Sequence, residues 1–198
     1  MVFITFEGPE GSGKTTHIKL LAEYLESKGR KVVVTKEHTG KNIAKILVEY
    51  LKKDMPMVDA LLYCADRAEH VEELITPALK EGKDVLCDRY YHSTLVLQAA
   101  QGLDFNWLLE LNKFFPKTDL TIIIDVSPET SLKRMEENRS RDVKKFDKKE
   151  FLKKTRQNYL DLPKKLKDNF AIINGEKQIE DVQKDIRKIV DRFLERYG

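Results

Sequence analysis

Eight consecutive residues, Gly8-Pro9-Glu10-Gly11-Ser12-Gly13-Lys14-Thr15, separate a short β-branched and aromatic run, Val2 to Phe6, from a segment with Ile18, Leu21, Ala22 and Leu25 at helical spacing. Strand, glycine-rich loop and helix follow in that order. The loop fits G-x-x-x-x-G-K-[ST] in the context this motif requires. Glycines at 8, 11 and 13 let successive backbone N–H groups converge on an anion, and a helix opening near Lys14 adds the positive end of its dipole. Lys14 is placed to bridge the outer phosphates of a nucleoside triphosphate, and Thr15 offers a hydroxyl to Mg²⁺. The stretch from Gly8 through Thr16 is therefore read as an ATP site.

Beyond the loop, apolar runs of two kinds alternate. Val32-Val33-Val34, Asp84 to Asp88, Thr121 to Asp125 and Ala171-Ile172-Ile173 are short and apolar nearly throughout, as parallel strands covered on both faces are. Helical spacing fills the gaps at about 42–53, 57–81, 91–102, 128–138, 148–167 and 178–196. In the last of these, Ile179, Val182, Ile186, Ile189, Val190 and Phe193 form a stripe suited to packing on a sheet. The pattern predicts a three-layer α/β domain of the P-loop NTPase type with a five-stranded parallel sheet. At 198 residues it fills one domain.

A formal charge of +3 is too small to argue for a nucleic-acid or membrane partner. It is a cancellation, because residues 132–168 carry 14 Lys and Arg against 7 Asp and Glu and the remainder is net acidic. Within that basic stretch Arg134, Arg139 and Arg141 lie at a break between two helices, where contact with phosphate is more plausible than on a solvated helix face. Cys64 and Cys87 lack metal-ligand spacing and sit in apolar runs, which reads as core packing. No run approaches ~18 apolar residues, and the start has no basic, apolar leader, so a cytoplasmic location is expected.

Three kinds of P-loop protein compete. A switch GTPase needs Asp-x-x-Gly and Asn-Lys-x-Asp; Asn112-Lys113 continues with Phe114-Phe115. A remodelling ATPase usually ends an apolar strand in Asp-Glu, whereas Ile122-Ile123-Ile124-Asp125 continues with Val126. A small phosphotransferase remains, whose acceptor is itself a phosphate and needs alignment and charge neutralisation more than a base. Asp88-Arg89-Tyr90 ends the third strand on the edge where open α/β sheets bind ligands. Asp88 suits Mg²⁺ beside Thr15, with Asp125 as the alternative, and Arg89 suits a phosphate clamp. Tyr63 and Arg67 are four residues apart on one helix face, a ring to stack on a base beside a guanidinium to read it.

Together these segments resemble the thymidylate kinase family. Phe6 to Thr16, Leu62-Tyr63-Cys64-Ala65-Asp66-Arg67 and Asp88-Arg89-Tyr90-Tyr91-His92-Ser93-Thr94 match its signatures in order, over nearly the whole chain. The resemblance implies transfer of the γ-phosphoryl group of ATP to dTMP with Mg²⁺, giving dTDP and ADP. It assigns Glu10 to the deoxyribose 3′-hydroxyl, Tyr63 to stacking on thymine, Arg67 to a thymine carbonyl, Thr94 to the base edge with Ser93 beside it, and Arg89 to the acceptor phosphate. Gly11 stands where some members carry a loop arginine, the bacterial-type pattern. Transition-state charge then comes from a lid at about 134–147 through Arg139 and Arg141, with Arg134 in reserve, and the adenine lies near Asn174-Gly175-Glu176. Family members dimerise through helix faces, which directs attention to 57–81 and 91–115.

The chain departs from the family after Thr35-Lys36-Glu37. His38-Thr39-Gly40-Lys41 replaces Pro-Gly-Gly-Thr, and the acceptor-phosphate arginine of some members is absent, leaving Lys36 or Lys41 to compensate. A lysine is a point charge without a bidentate fork, so looser acceptor choice, extending to dUMP, is expected. His38 and His70 are read as structural or surface residues, since transfer to a phosphate needs no histidine, and Trp107 as a contact under the helix after Gly102. The other readings are a different nucleoside or nucleotide kinase and an ATP-binding regulatory protein.

Overall fold

The computed structural model describes residues 1–137 and 149–197. Five parallel strands lie in the order β2-β3-β1-β4-β5, with β1 at Phe3–Glu7, β2 at Val32–Lys36, β3 at Asp84–Asp88, β4 at Leu120–Asp125 and β5 at Phe170–Asn174. Alternation along β1 divides the core. Ile4 and Phe6 join Leu86, Ile122 and Ile124 on one face, beneath α1 (Lys14–Ser27) and α9 (Ile179–Tyr197), which contribute Ile18, Leu21, Leu25, Val182, Ile186 and Val190. Phe3 joins Val85, Cys87 and Ile123 on the other. Over that second face lie α3 (Pro56–His70), a π-helical turn (Val71–Ile75), α4 (Thr76–Lys80), α5 (Tyr91–Ala100), α6 (Phe105–Asn112) and α8 (Lys149–Lys165). Each of these fully buried aliphatic side chains contributes about 1.5–3 kcal/mol, so the two apolar layers hold the sheet between them.

The predicted three layers and five parallel strands are therefore present, with strand limits within a residue or two of those read from the apolar runs. One expectation is corrected: coverage on both faces holds only for the three central strands. Val34 is 47% exposed and Ile172 46% exposed, because β2 and β5 are the sheet's two edges and no further element among the described residues covers them. The helix expected after Gly102 is α6, which lies outside the six helical ranges given above; Asp104 caps it by accepting from the Trp107 amide at 2.8 Å. Trp107 packs there on the second core, as expected. Two elements remain, α2 (Asn42–Tyr50) and α7 (Pro128–Glu137). Among the described residues no helix is long and apolar enough to cross a membrane.

Parallel pairing sends every strand's carboxyl end to one edge. Register places Phe6 beside Asp88 and Glu7 beside Ile123, so the loops after β1, β3, β4 and β5 converge there.

Candidate active site

The phosphate loop is shaped by close backbone approach. Gly8 has φ 137°, and a Cβ at that position would lie 2.4 Å from the carbonyl oxygen of Ile124 in β4, which leaves room for glycine alone. Gly13, at φ 93°, turns the chain into α1. Lys14 is folded back against the loop, its Nζ donating to the carbonyls of Gly8 (3.2 Å) and Pro9 (2.9 Å) and to Ser12 Oγ (3.4 Å). Burial and then the nearby charge of Arg89 push its pKa down to about 7, against the pull of Asp88 and Glu7. Thr15 donates to Asp88 Oδ2 at 2.6 Å, so the loop hydroxyl and the β3 carboxylate meet as expected.

Asp125, the alternative to Asp88, is engaged elsewhere: Arg156 of α8 donates to both of its carboxylate oxygens, at 2.7 and 2.9 Å. Among the described residues no group of three His, Cys, Asp or Glu side chains is gathered for a metal. One hydroxyl and one carboxylate suit a hard divalent cation that takes its remaining ligands from phosphates and water.

Arg89 has φ 69°, the one non-glycine residue in the left-handed region among those described. Such a conformation costs on the order of 1–3 kcal/mol and persists only where the surroundings over-determine it. Here they do. Nη1 donates to Gly8 O (3.3 Å), Ser93 Oγ (3.0 Å) and Tyr159 Oη of α8 (2.9 Å), and Nη2 donates to Glu10 at 2.8 Å. Arg89 thus ties the phosphate loop, β3, α5 and α8 together. Ser93, expected at the substrate, has its hydroxyl committed within this set.

The opposite wall is built on Arg67, 1% exposed. Its Nε and Nη2 both donate to Glu37 Oε2, at 2.9 and 2.6 Å; Nη1 donates to Asn112 Oδ1 at 2.6 Å and Nη2 to Thr94 Oγ1 at 3.1 Å. His70 backs Glu37 at 3.3 Å and bonds Thr35 at 2.7 Å, the structural role expected of it. Cys64 and Cys87 are buried, as anticipated. The departing loop is pinned to α3, where Asp66 accepts from the Thr39 amide (3.0 Å) and hydroxyl (2.6 Å). Of the two lysines proposed to compensate, Lys41 pairs outward with Glu73 at 2.5 Å, whereas Lys36 and His38 line the cleft.

One cleft of about 1210 Å³ gathers Pro9 through Thr16 with Tyr63, Arg67, Asp88, Arg89, Ser93 and Thr94. That exceeds the roughly 300–1,000 Å³ of a site for one small ligand. Arg134 lines it too, its Nη1 reaching Gly11 O at 3.4 Å and Nη2 reaching Gly175 O at 3.0 Å. A Cβ at Gly11 would meet the Ser131 carbonyl at 2.9 Å, so a longer residue in the loop would collide with α7, and Arg134 brings a guanidinium there from outside. Arg139 and Arg141, with most of the expected lid, lie outside the described residues. Sequence reasoning missed Glu37, Asn112, Tyr159 and Arg156. A carboxylate directly after β2 was a usable signal for Glu37; the others have none locally.

A family model described as "Thymidylate kinase" matches residues 6–186. A "Probable thymidylate kinase" of Pyrococcus horikoshii is 45% identical over 201 residues, 97% of each chain. One of Thermococcus gammatolerans is 40% identical over 206 residues, 98% of this chain and 97% of its own. A "Thymidylate kinase" of Bacillus cereus is 37% identical over 204 residues, 98% of each. With likeness over nearly the whole chain laid over a phosphate loop that shares one cleft with Tyr63, Arg67 and Thr94, this chain belongs to the thymidylate kinase family.

Proposed function

We propose that the protein transfers the γ-phosphoryl group of ATP to dTMP. The observation that carries this reading is the single cleft in which the phosphate loop and the Tyr63–Arg67–Thr94 wall face the same space. The P–O bond between the γ-phosphorus and ADP breaks, and a bond forms from that phosphorus to an oxygen of the acceptor phosphate, giving dTDP. Because the acceptor oxygen already carries charge, no general base is required, and alignment with charge neutralisation supplies the rate.

The loop amides and the α1 N-terminus bind the triphosphate, and Lys14 exchanges its carbonyl contacts for phosphate oxygens. Thr15 and Asp88 would hold Mg²⁺, which neutralises phosphate charge when bound. Arg89 clamps the acceptor phosphate, and Glu10, its partner at 2.8 Å, faces the sugar hydroxyl. Tyr63 stacks on the base while Arg67 and Thr94 read its edge. Arg139 and Arg141, aided by Arg134, supply lid charge and exclude water. With Lys36 as the cleft-lining replacement for a bidentate arginine, dUMP is accepted alongside dTMP. The reading includes a cytoplasmic homodimer acting on free nucleotides; exposed Met57 and Leu61 on α3 and Phe114 after α6 favour helix-face association. Chromatography of products from ATP, Mg²⁺ and dTMP tests it: equal amounts of dTDP and ADP are expected, and ADP with phosphate in place of dTDP contradicts it.

A further inference from the structure

One acid beneath the phosphate loop has no part in the roles assigned above. Glu7 closes β1 and is completely buried. Its Oε1 accepts from the Tyr90 amide at 2.8 Å, and its Oε2 accepts from the hydroxyls of Ser93 at 2.6 Å and Tyr159 at 3.3 Å. All three donors surround Arg89. Tyr90 follows it in the chain, and the Ser93 and Tyr159 hydroxyls each accept from its Nη1. A hydroxyl that accepts from a guanidinium has its own proton to give, and Ser93 and Tyr159, themselves 3.0 Å apart, relay the bonds from Arg89 to Glu7.

A carboxylate with no water around it costs several kcal/mol unless its lone pairs are satisfied, and an apolar residue would fill the same space at lower cost. Burial pushes the Glu7 carboxyl up, opposed by His92, Ser93, Arg89 and the Tyr90 amide. What this acid obtains for its burial is control of Arg89: the Tyr90 amide is fixed directly after the left-handed residue, and one edge of the guanidinium is held through two hydroxyls. The other edge rests on Glu10, which lines the cleft. Glu7 itself is wholly buried and lies behind the cleft lining.

We infer that Glu7 is the positioning residue of phosphoryl transfer, holding the Arg89 guanidinium through Ser93, Tyr159 and the Tyr90 amide in the orientation that meets the acceptor phosphate. The inference rests on the reading of Arg89 as the acceptor-phosphate clamp.

The test is a double-mutant cycle on the full-length protein, read by kcat, by KM for each substrate and by thermal melting. Glu7→Gln keeps the shape and the Tyr90 contact but presents an NH₂ where two hydroxyl protons point. Its kcat is expected to fall about 10²-fold, the cost of a misplacement near 1 Å, with KM for ATP unchanged. In an Arg89→Ala background the same change is expected to leave kcat within about threefold, because residues acting as one unit are non-additive. A Glu7→Gln enzyme with wild-type kcat, or losses that multiply in the double mutant, would overturn the inference. If melting shows that Glu7→Gln does not fold, Ser93→Ala takes its place in the cycle. A loss of about tenfold that vanishes without Arg89 is then expected, and an undiminished loss overturns the inference. Wild-type turnover of dTMP, measured first, reports on the function alone. The cycle is run on whichever monophosphate the wild type phosphorylates, and absence of turnover on all of them overturns both.

Discussion

The phosphate loop and the wall built on Arg67 face the same cleft and are made of different material. The loop is main chain: glycines at positive φ, a helix N-terminus and one lysine resting on the loop's own carbonyls. The wall is side chain, with the Arg67 guanidinium held by Glu37, Asn112 and Thr94, which come from three further parts of the chain. A site made of backbone survives the loss of a side chain as a shape and loses only chemistry. A site made of buried charge loses its shape and its stability together.

That contrast is most exposed at Lys14. Lys14→Ala is expected to lower kcat about 10³-fold, the scale of losing a preorganised charge at the reacting group, while the melting temperature stays level or rises, because a buried ammonium is removed. Kinetics and calorimetry on one preparation check both, and a large loss of stability would place Lys14 with the wall. Glu37→Ala should behave in the opposite way. It leaves Arg67 buried without its counter-charge and should cost ~3–5 kcal/mol of stability, measured by urea denaturation, with KM for dTMP raised more than KM for ATP.

Gly8→Ala probes the loop where it depends on shape. The added Cβ falls 2.4 Å from the Ile124 carbonyl, so a loss of about 1–3 kcal/mol in stability is expected together with weaker ATP binding by calorimetric titration. Acidity provides a milder test. With its pKa lowered to about 7, Lys14 is charged below that pH and neutral above it in the free enzyme. The kcat/KM for ATP is therefore expected to hold below pH 7 and decline above it. Stability runs the other way between pH 7 and the ordinary lysine range, rising with pH because the unfolded chain binds the extra proton there. The smallest effect is expected from Lys36→Arg, which puts a planar fork at the wall and should widen the preference for dTMP over dUMP by a few-fold, about 1 kcal/mol or less; competition between the two acceptors reads it.

The same contrast explains what the sequence discloses. Gly8 to Thr15 is legible because eight adjacent residues make the site, and the central strands are legible because their burial on both faces leaves no polar alternation. The edge strands β2 and β5 carry the same apolar signal as the buried ones, so their exposure is set by sheet order, which no single run records. Asn112 meets Arg67 across 45 residues and Tyr159 meets Arg89 across 70. Neither pairing has a local spacing to betray it. Asp88 and its alternative Asp125 both end strands, and what sets Asp125 apart in the fold is its pairing with Arg156, which α8 delivers from 31 residues further along the chain.

ADP release with ATP and Mg²⁺, measured alone and then with each nucleoside monophosphate in turn, tests the central claim most directly. Turnover with dTMP is predicted to stand far above the ATP-only rate, with dUMP next. A dTMP rate no higher than that of ATP alone would contradict it.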